Sequence, residues 1–155
     1  MKMRSPISHT LGEQVSQGDG LLVLRLRARP SELKHARKRV AEVGDQFGLA
    51  SKPCYEFVFA VNEAVTNAIK HGRADEDGRI SLRLDADGDE LICTVSDCGP
   101  FVAPAELADP EYAESGRGFA FMSALVDELE LSVEPEATVV RLRKRRAAEA
   151  VAADA

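Results

Sequence analysis

Residues 51–72 read SKPCYEFVFAVNEAVTNAIKHG, and the spacing of their apolar side chains predicts one long helix over 52–71. Ser51 stands before the first helical residue as a cap, and Gly72 follows the last one as a terminator in the left-handed conformation. The predicted apolar stripe consists of Val58, Val61, Val65, Ala68 and Ile69. Because a helix that is apolar over most of its circumference is largely buried, we expect this helix to pack inside the protein.

The opposite face of this helix carries Glu63, Asn67 and His71 at four-residue intervals, so the three side chains lie in one row. One interpretation is an ordinary solvated face. The alternative is a cleft, because asparagine is a poor helix former and the surrounding helix is unusually apolar. In a cleft, Glu63 can serve as a general base while Asn67 supplies an oxygen ligand for Mg²⁺.

The rest of the chain supplies strands and two further helices. Alternating apolar residues and turn signals predict strands at 21–27, 79–85, 91–96, 129–133 and 138–143, and helical spacing predicts helices at 31–47 and 118–128. Short turns between consecutive strands favour antiparallel or mixed pairing with the helices on one face. We therefore predict an α+β fold, a two-layer sandwich with a mixed, mostly antiparallel sheet.

The chain is predicted to hold a single domain. Its 155 residues, 45% of them hydrophobic, suffice for one core, and that domain is expected at 20–146. The polar stretch 1–19 is predicted to be a flexible arm, and the alanine-rich stretch 147–155 is predicted to be a disordered tail.

Charge and cysteine content argue against several classes of protein. A net charge of −6 and a pI near 5.1 are the opposite of what phosphate neutralisation requires, so no nucleic-acid partner is expected. No apolar run approaches the ~20 residues of a membrane span, and the N-terminus lacks the apolar segment of a secretory signal. The three cysteines are odd in number and lack zinc-site spacing. These features predict a cytoplasmic protein without a membrane partner.

The charge is nevertheless distributed unevenly along the chain. Residues 74–136 contain 17 acidic side chains and only three basic ones, whereas the remainder contains 17 basic and nine acidic ones. Such asymmetry is compatible with a charged partner, and equally with solvated faces on opposite sides of the molecule.

A second motif, Asp97-Cys98-Gly99, follows the strand predicted at 91–96. A carboxylate at a strand end is an acceptor suited to an exocyclic amino group, so Asp97 would accept from adenine N6 and repel guanine O6. Gly99 permits a tight turn and the close approach of a ligand to the backbone. A plain turn aspartate is the alternative interpretation.

A third motif, Gly116-Arg117-Gly118, lies where the helix at 118–128 is predicted to begin. Glycines before a helix expose backbone N–H groups, and the positive end of the helix dipole favours phosphate. The motif is neither a P-loop nor a dinucleotide-binding fingerprint, and glycine turns commonly precede helices.

Taken in order, these motifs resemble the conserved boxes of the GHKL ATPase superfamily. The matching residues are Glu63-x-x-x-Asn67-Ala68-x-x-His71, Asp97-x-Gly99, Gly116-x-Gly118 and Thr138. The compact length, the short lid and the stretch 116–129 are similar to the anti-sigma-factor serine/threonine kinases of bacterial partner-switching systems. A sensor kinase would carry a phospho-accepting histidine and a dimerisation hairpin upstream of this domain, and neither is expected here. This disfavours the alternative of a detached sensor-kinase domain that phosphorylates histidine.

The resemblance implies a role for each matching residue. Glu63 would be the general base, and Asn67 would ligate Mg²⁺ that bridges the phosphates of ATP. Asp97 and Gly99 would bind adenine, with Thr138 near the base. The residues implied in phosphate or general nucleotide binding are Gly116, Arg117, Gly118 and, at the end of the first box, His71.

The implied function is an ATP-dependent protein serine/threonine kinase that acts as an anti-sigma factor. It would phosphorylate a small anti-anti-sigma antagonist, sequester a sigma factor and form a homodimer. Two departures from the family pattern favour a partner-binding module without kinase activity as the alternative. The loop after Asp97 is one residue shorter and lacks the acidic residue after Phe101, and Ala137 replaces the glycine before Thr138.

Overall fold

The computed structural model describes residues 13–14, 20–99 and 113–147, with side chains described for 20–99 and 118–147. The strands are β1 (Glu13–Gln14), β2 (Gly20–Arg27), β3 (Arg79–Asp87), β4 (Glu90–Asp97), β5 (Glu128–Glu134) and β6 (Ala137–Arg145). The helices are α1 (Leu33–Phe47), which follows a 3₁₀ turn at Pro30–Glu32, α2 (Ser51–His71) and α3 (Ala113–Leu125).

The strands form one six-stranded sheet in the order β1-β2-β3-β4-β6-β5. Every pairing within the described residues is antiparallel, so the α+β class is confirmed, whereas the expectation of a mixed sheet is wrong. The consecutive pairs β3–β4 and β5–β6 are hairpins, and short turns of this kind can only connect antiparallel strands.

Alternation within the strands produces the two faces of the sheet. Leu22, Leu24 and Leu26 of β2 are buried with α2 residues such as Phe57 and Val61 in one hydrophobic cluster. The intervening strand residues face the open side. The inward side chains of the sheet, which alternate along each strand, therefore pack against the buried face of α2 and form one core layer.

The predicted flexible arm contains a short strand. Glu13 pairs with Leu24, and Gln14 pairs with Val23, so these two residues add an edge to β2. This corrects the prediction for that part of 1–19. The rest of the arm, and all of the predicted tail except Ala147, lie outside the described residues.

The ends of α2 also differ from the prediction. Ser51 is the first helical residue, and Ala50 occupies the cap position without a side-chain hydrogen bond. Gly72 has an extended backbone, with φ −93° and ψ −161°, rather than the left-handed conformation expected of it. Gly48 after α1 is left-handed, with φ 105°, so conformational freedom explains Gly48 but not Gly72.

Helix α3 lies earlier in the chain than the predicted helix at 118–128. It begins at Ala113 and ends at Leu125, and Glu128 already belongs to β5. Alanine and glutamate are strong helix formers and extend the helix upstream of the glycines. Among the described residues, no helix has both the length and the apolar character needed to cross a bilayer.

Candidate functional site

The row of polar residues on α2 lies against the backbone of α3. Glu63 and Asn67 are half-buried, and Gly118 of α3 is buried beside them. A β-carbon added to Gly118 would lie 2.6 Å from Glu63 Oε2 and 3.4 Å from Asn67 Nδ2. The two helices can approach this closely because Gly118 has no side chain, and the row is a crevice rather than an open solvated face.

Asn67 contributes an unsatisfied polar group to this crevice. Its Nδ2 is the one buried side-chain nitrogen or oxygen without a hydrogen-bond partner among the described residues. Buried polar atoms are almost always paired, so an exception indicates strain or a missing ligand. Because the two ends of an amide exchange by a half-turn of the side chain, Asn67 can present either its nitrogen or its oxygen here.

Asp97 ends β4 and lies against Gly72, the residue that follows α2. Its Oδ1 accepts hydrogen bonds from the backbone N–H of Gly99 at 2.8 Å and, more weakly, from that of Arg73 at 3.4 Å. Burial raises the pKa of Asp97, and the two N–H donors offset part of this effect. Oδ1 is thus committed to the backbone, and the hydrogen bonds among the described residues leave Oδ2 available to a ligand.

The turn after α2 and the turn after β4 interlock around this carboxylate. A β-carbon on Gly72 would lie 2.5 Å from Asp97 Cγ, and one on Gly99 would lie 2.6 Å from the backbone nitrogen of Arg73. The N–H of Cys98 donates to the carbonyl of Arg73 at 2.7 Å. Neither glycine position has room for a side chain.

Thr138 of β6 completes this arrangement. It lies directly opposite Asp97 in the β4–β6 register, and its buried hydroxyl donates to the carbonyl of Gly99 at 2.9 Å. The structure thus brings together Asp97, Gly99 and Thr138. It adds Gly72 and the Arg73 backbone, which the sequence analysis did not assign to the site. The sequence signal that could have identified Gly72 is its position directly after His71, the last residue of the polar row.

The remaining predicted residues lie outside the cluster formed by Asp97, Gly99 and Thr138. His71 is the last residue of α2, next to Gly72. Gly116, Arg117 and Gly118 lie inside α3, which begins three residues before Gly116. Their N–H groups fall beyond the unpaired first turn of the helix, so the expected glycine entrance to a helix terminus is wrong. The side chain of Arg117 lies outside the described residues.

A comparison with family models matches residues 26–144 to the histidine kinase-like ATPase domain. The chain belongs to this family. Membership confirms the resemblance to GHKL ATPases and implies ATP as the nucleotide of this ATPase domain.

Curated relatives cover most of this ATPase domain. The anti-sigma F factor of Thermoanaerobacter pseudethanolicus is 30% identical over 132 residues, which is 80% of this chain and 92% of the relative. The serine-protein kinase RsbW of Bacillus pumilus is 28% identical over 135 residues, which is 77% of this chain and 82% of the relative. The anti-sigma F factor of Clostridium kluyveri is 28% identical, covering 75% of this chain and 87% of the relative.

Solved structures share the fold of this ATPase domain. The RsbU and RsbW domains of a Mycobacterium tuberculosis protein match with a TM-score of 0.64 at 22% identity, over 85% of this chain. The match spans only 34% of that longer chain. A chain of the SiaB–SiaC complex from Pseudomonas aeruginosa matches with a TM-score of 0.57 at 12% identity, covering 81% of this chain and 89% of that one.

The described residues carry polar groups that suit an adenine nucleotide. Two glycine positions without room for a side chain flank Asp97, which keeps one carboxylate oxygen free of the hydrogen bonds described above. The unpaired amide of Asn67 supplies a polar atom for a ligand. Within the described part of the chain, no three His, Cys, Asp or Glu side chains cluster around a common point, so a magnesium ion here would depend on Asn67 together with nucleotide phosphates.

Proposed function

We propose that this protein is an ATP- and Mg²⁺-dependent protein serine/threonine kinase that acts as an anti-sigma factor. Its substrate would be a small anti-anti-sigma antagonist, and its second partner would be a sigma factor. The observation that carries this proposal is the unpartnered Asn67 amide beside Glu63, on the helix whose end lies against the Asp97 carboxylate. The names of the curated relatives support both the kinase and the anti-sigma activity.

In this proposal the Asp97 loop selects adenine. Asp97 Oδ2 accepts from an exocyclic amino group, whereas the carbonyl oxygen of guanine at the same place would face a second acceptor. Backbone donors at Gly99 and Arg73 hold the carboxylate, and Thr138 holds the Gly99 carbonyl. Because each holding group is itself fixed by the fold, the loop is preorganised for its ligand.

Glu63 acts as the base in the transfer step. Bound ATP and Mg²⁺ would supply the phosphoryl group and the positive charge that neutralises its oxygens. As the hydroxyl oxygen of the substrate serine or threonine bonds to phosphorus and the bond to the leaving phosphate breaks, the hydroxyl proton passes to the Glu63 carboxylate. Asn67, one turn along α2, would hold the metal with its amide oxygen.

We assign phosphate contact to Gly116, Arg117 and Gly118, because Gly118 lies beside Asn67. His71 would border the nucleotide at the end of the same row. We also infer that the protein works as a homodimer in the cytoplasm, where the proposed sigma-factor partner acts.

The decisive experiment is a phosphotransfer assay with a candidate antagonist. The purified kinase, Mg-ATP and the antagonist are incubated, and phosphate on serine or threonine is detected by mass spectrometry. Glu63→Ala and the isosteric Glu63→Gln should both lower transfer by at least about 100-fold, because each removes the proton acceptor. Both variants should still bind ATP. Transfer at the wild-type rate in either variant would rule out Glu63 as the base.

A partner-binding module without chemistry is the second candidate. Two observations favour it: the shortened loop after Asp97, and the α3 backbone that lies against Glu63 Oε2. The same assay separates the candidates, since a module would bind the antagonist but leave its mass unchanged.

A further inference from the structure

Strand β5 forms an edge of the sheet. It pairs with β6 on one side and is the last strand in the sheet order. The pairing runs without a register shift from Glu128 opposite Arg143 to Glu134 opposite Ala137. Proteins commonly protect such edges with a bulge, a lysine, a proline or an inward-pointing charge. Within Glu128–Glu134 the described pairing has no bulge, and the strand has no lysine or proline. Charged side chains are another such protection, and this strand carries three glutamates, so the charge of an incoming strand decides whether it can pair.

The helix-side face of β5 is only partly covered. Leu131 and Val133 face the same side as the buried residues of β6, yet they are 39% and 52% exposed. Their cross-strand partners Val140 and Thr138 are only 8% and 7% exposed. The helix layer therefore reaches Leu129 of β5 but, among the described residues, leaves Leu131 and Val133 largely uncovered.

The open face of β5 is acidic. Glu128, Glu130 and Glu134 alternate with the apolar residues, and Ser132 is the remaining member of this row. Arg141 pairs with Glu130 at 3.3 Å, and Arg143 pairs with Glu128 at 3.8 Å. Both arginines belong to β6, on the inner side of β5. Beside the edge, Ser132, Val139 and their neighbours Glu130, Leu131 and Arg141 line a groove of about 450 Å³. A strand added outside β5 would meet carboxylates on this face.

A second copy of β5 does not suit this edge. In an antiparallel pair centred on Leu131, Glu128 would face Glu134 of the other copy. A centre at Ser132 would set Glu130 opposite Glu134, and a centre at Glu130 would set two copies of Glu130 opposite each other. Like charges directly opposite each other destabilise a strand pair, so the pattern selects against self-pairing.

We propose that β5 is a docking edge for an extended segment of a partner protein in which lysine or arginine alternates with apolar residues. Backbone hydrogen bonds along the edge supply affinity, and the alternating side chains supply specificity. Apolar side chains of the segment cover Leu131 and Val133, while its basic side chains face the row of glutamates. This proposal does not depend on the kinase activity.

The docking edge adjoins the nucleotide site. Asp97, Thr138 and Val133 lie opposite one another in consecutive strands β4, β6 and β5, and all three face the helix side. Strands are spaced ~4.8 Å apart, which places Val133 roughly 10 Å from Asp97 along this row. A strand docked outside β5 would thus lie one strand beyond Val133 and two strands beyond Thr138.

The test uses two short fluorescent peptides with the same alternating valines, one with lysine and the other with glutamate between them. We expect the lysine peptide to bind at least ~10-fold more tightly, to weaken with added NaCl, and to shift backbone amide resonances of β5. Val133→Lys places a charge on the uncovered face and should lower this affinity by at least ~10-fold. The control is Tyr55→Lys, which adds the same charge at an exposed ring on α2 and should bind the peptide as the wild type does.

Several results would overturn the proposal. These are absence of binding at millimolar peptide, equal binding of both peptides, resonance shifts confined to other surfaces, or wild-type affinity in Val133→Lys. Self-association in sedimentation that Val133→Lys abolishes would identify a second copy as the occupant, also against the proposal. Melting of each variant with Mg-ATP is recorded in parallel, because that response reports the Asp97 site and separates failure of the docking edge from failure of the proposed kinase.

Discussion

At the residue scale, the site depends on glycines that are required for space rather than for backbone freedom. Gly72 has an extended backbone that any residue can adopt, but its missing side chain is what lets the Asp97 carboxylate lie against it. Gly118 has the same relation to Glu63. Sequence analysis interpreted Gly72 as a helix terminator, because the carboxylate that fills its space comes from 25 residues further along the chain.

Gly72→Ala should disrupt the adenine site. The added methyl group would lie 2.5 Å from Asp97 Cγ, so the loop must move, at an expected cost of about 1–3 kcal/mol measured by urea denaturation. We expect the stabilisation by Mg-ATP to be largely lost. Arg73→Ala is the matched control, since it keeps the backbone N–H that Asp97 accepts from and should retain that response. Full ATP stabilisation in Gly72→Ala would contradict the steric role.

Asp97→Asn should raise stability while removing nucleotide binding. Burial raises the folded-state pKa of Asp97 above its unfolded value of about 3.9. The favourable contribution of its protonated form is therefore complete below pH ~3.9 and is lost as the pH rises through the folded-state pKa. Asparagine keeps the acceptor Oδ1 without this loss. Denaturation from pH 3 to 8 should show the free energy of unfolding of the variant increasing relative to that of the wild type as the pH rises. A difference that stays constant with pH would refute the assignment.

At the element scale, a buried lysine joins three elements on the helix side of the sheet. Lys144 of β6 is 8% exposed, and its Nζ donates to Glu56 Oε1 of α2 at 2.9 Å and to the carbonyl of Leu125 at 2.6 Å. The carbonyl of Leu125 lies at the end of α3, where helical carbonyls lack intrahelical partners. Lys144 therefore satisfies this helix end and holds it against α2.

Lys144→Met should lower the melting temperature by several degrees, because it leaves the Glu56 carboxylate and the Leu125 carbonyl without their partner. The hydrogen bond from Lys144, aided by the charges of Lys144 and Lys52, holds the pKa of Glu56 below its usual value. Its stabilising contribution is thus present above pH ~4.3 and is lost as the pH falls through the folded-state pKa. The difference between the variant and the wild type should shrink in acid. Lys52→Met, at an exposed partner 3.9 Å away, is the control and should have little effect.

At the scale of the whole molecule, the proposed nucleotide site and the proposed docking edge share one sheet. The row formed by Asp97, Thr138 and Val133 runs from the end of β4 to the edge strand. The sheet therefore places the proposed partner beside the proposed nucleotide, although Asp97 and Val133 are far apart in the chain.

Nucleotide binding should be visible as a change in global stability. At a concentration of Mg-ATP 100 times Kd, linkage predicts ~2.7 kcal/mol of stabilisation, or roughly 5–11 °C in Tm for a domain of this size. Mg²⁺ alone and Mg-GTP should have little effect, and Asp97→Asn should abolish the response to ATP. An equal shift with GTP would contradict adenine selection by Asp97, and no shift with millimolar ATP would favour the partner-binding module.

The sequence by itself determined the fold class, the strands β2 to β6 and the three helices except for their ends, and the polar row on α2. These follow from periodicity and from local residue preference, which neighbouring residues fix. Only the tertiary structure decided that Gly72 makes room for Asp97 and that Leu131 and Val133 are left uncovered at an edge. Each of these depends on the packing of elements that are distant in sequence, and no local pattern encodes which side chain will occupy a neighbour's space.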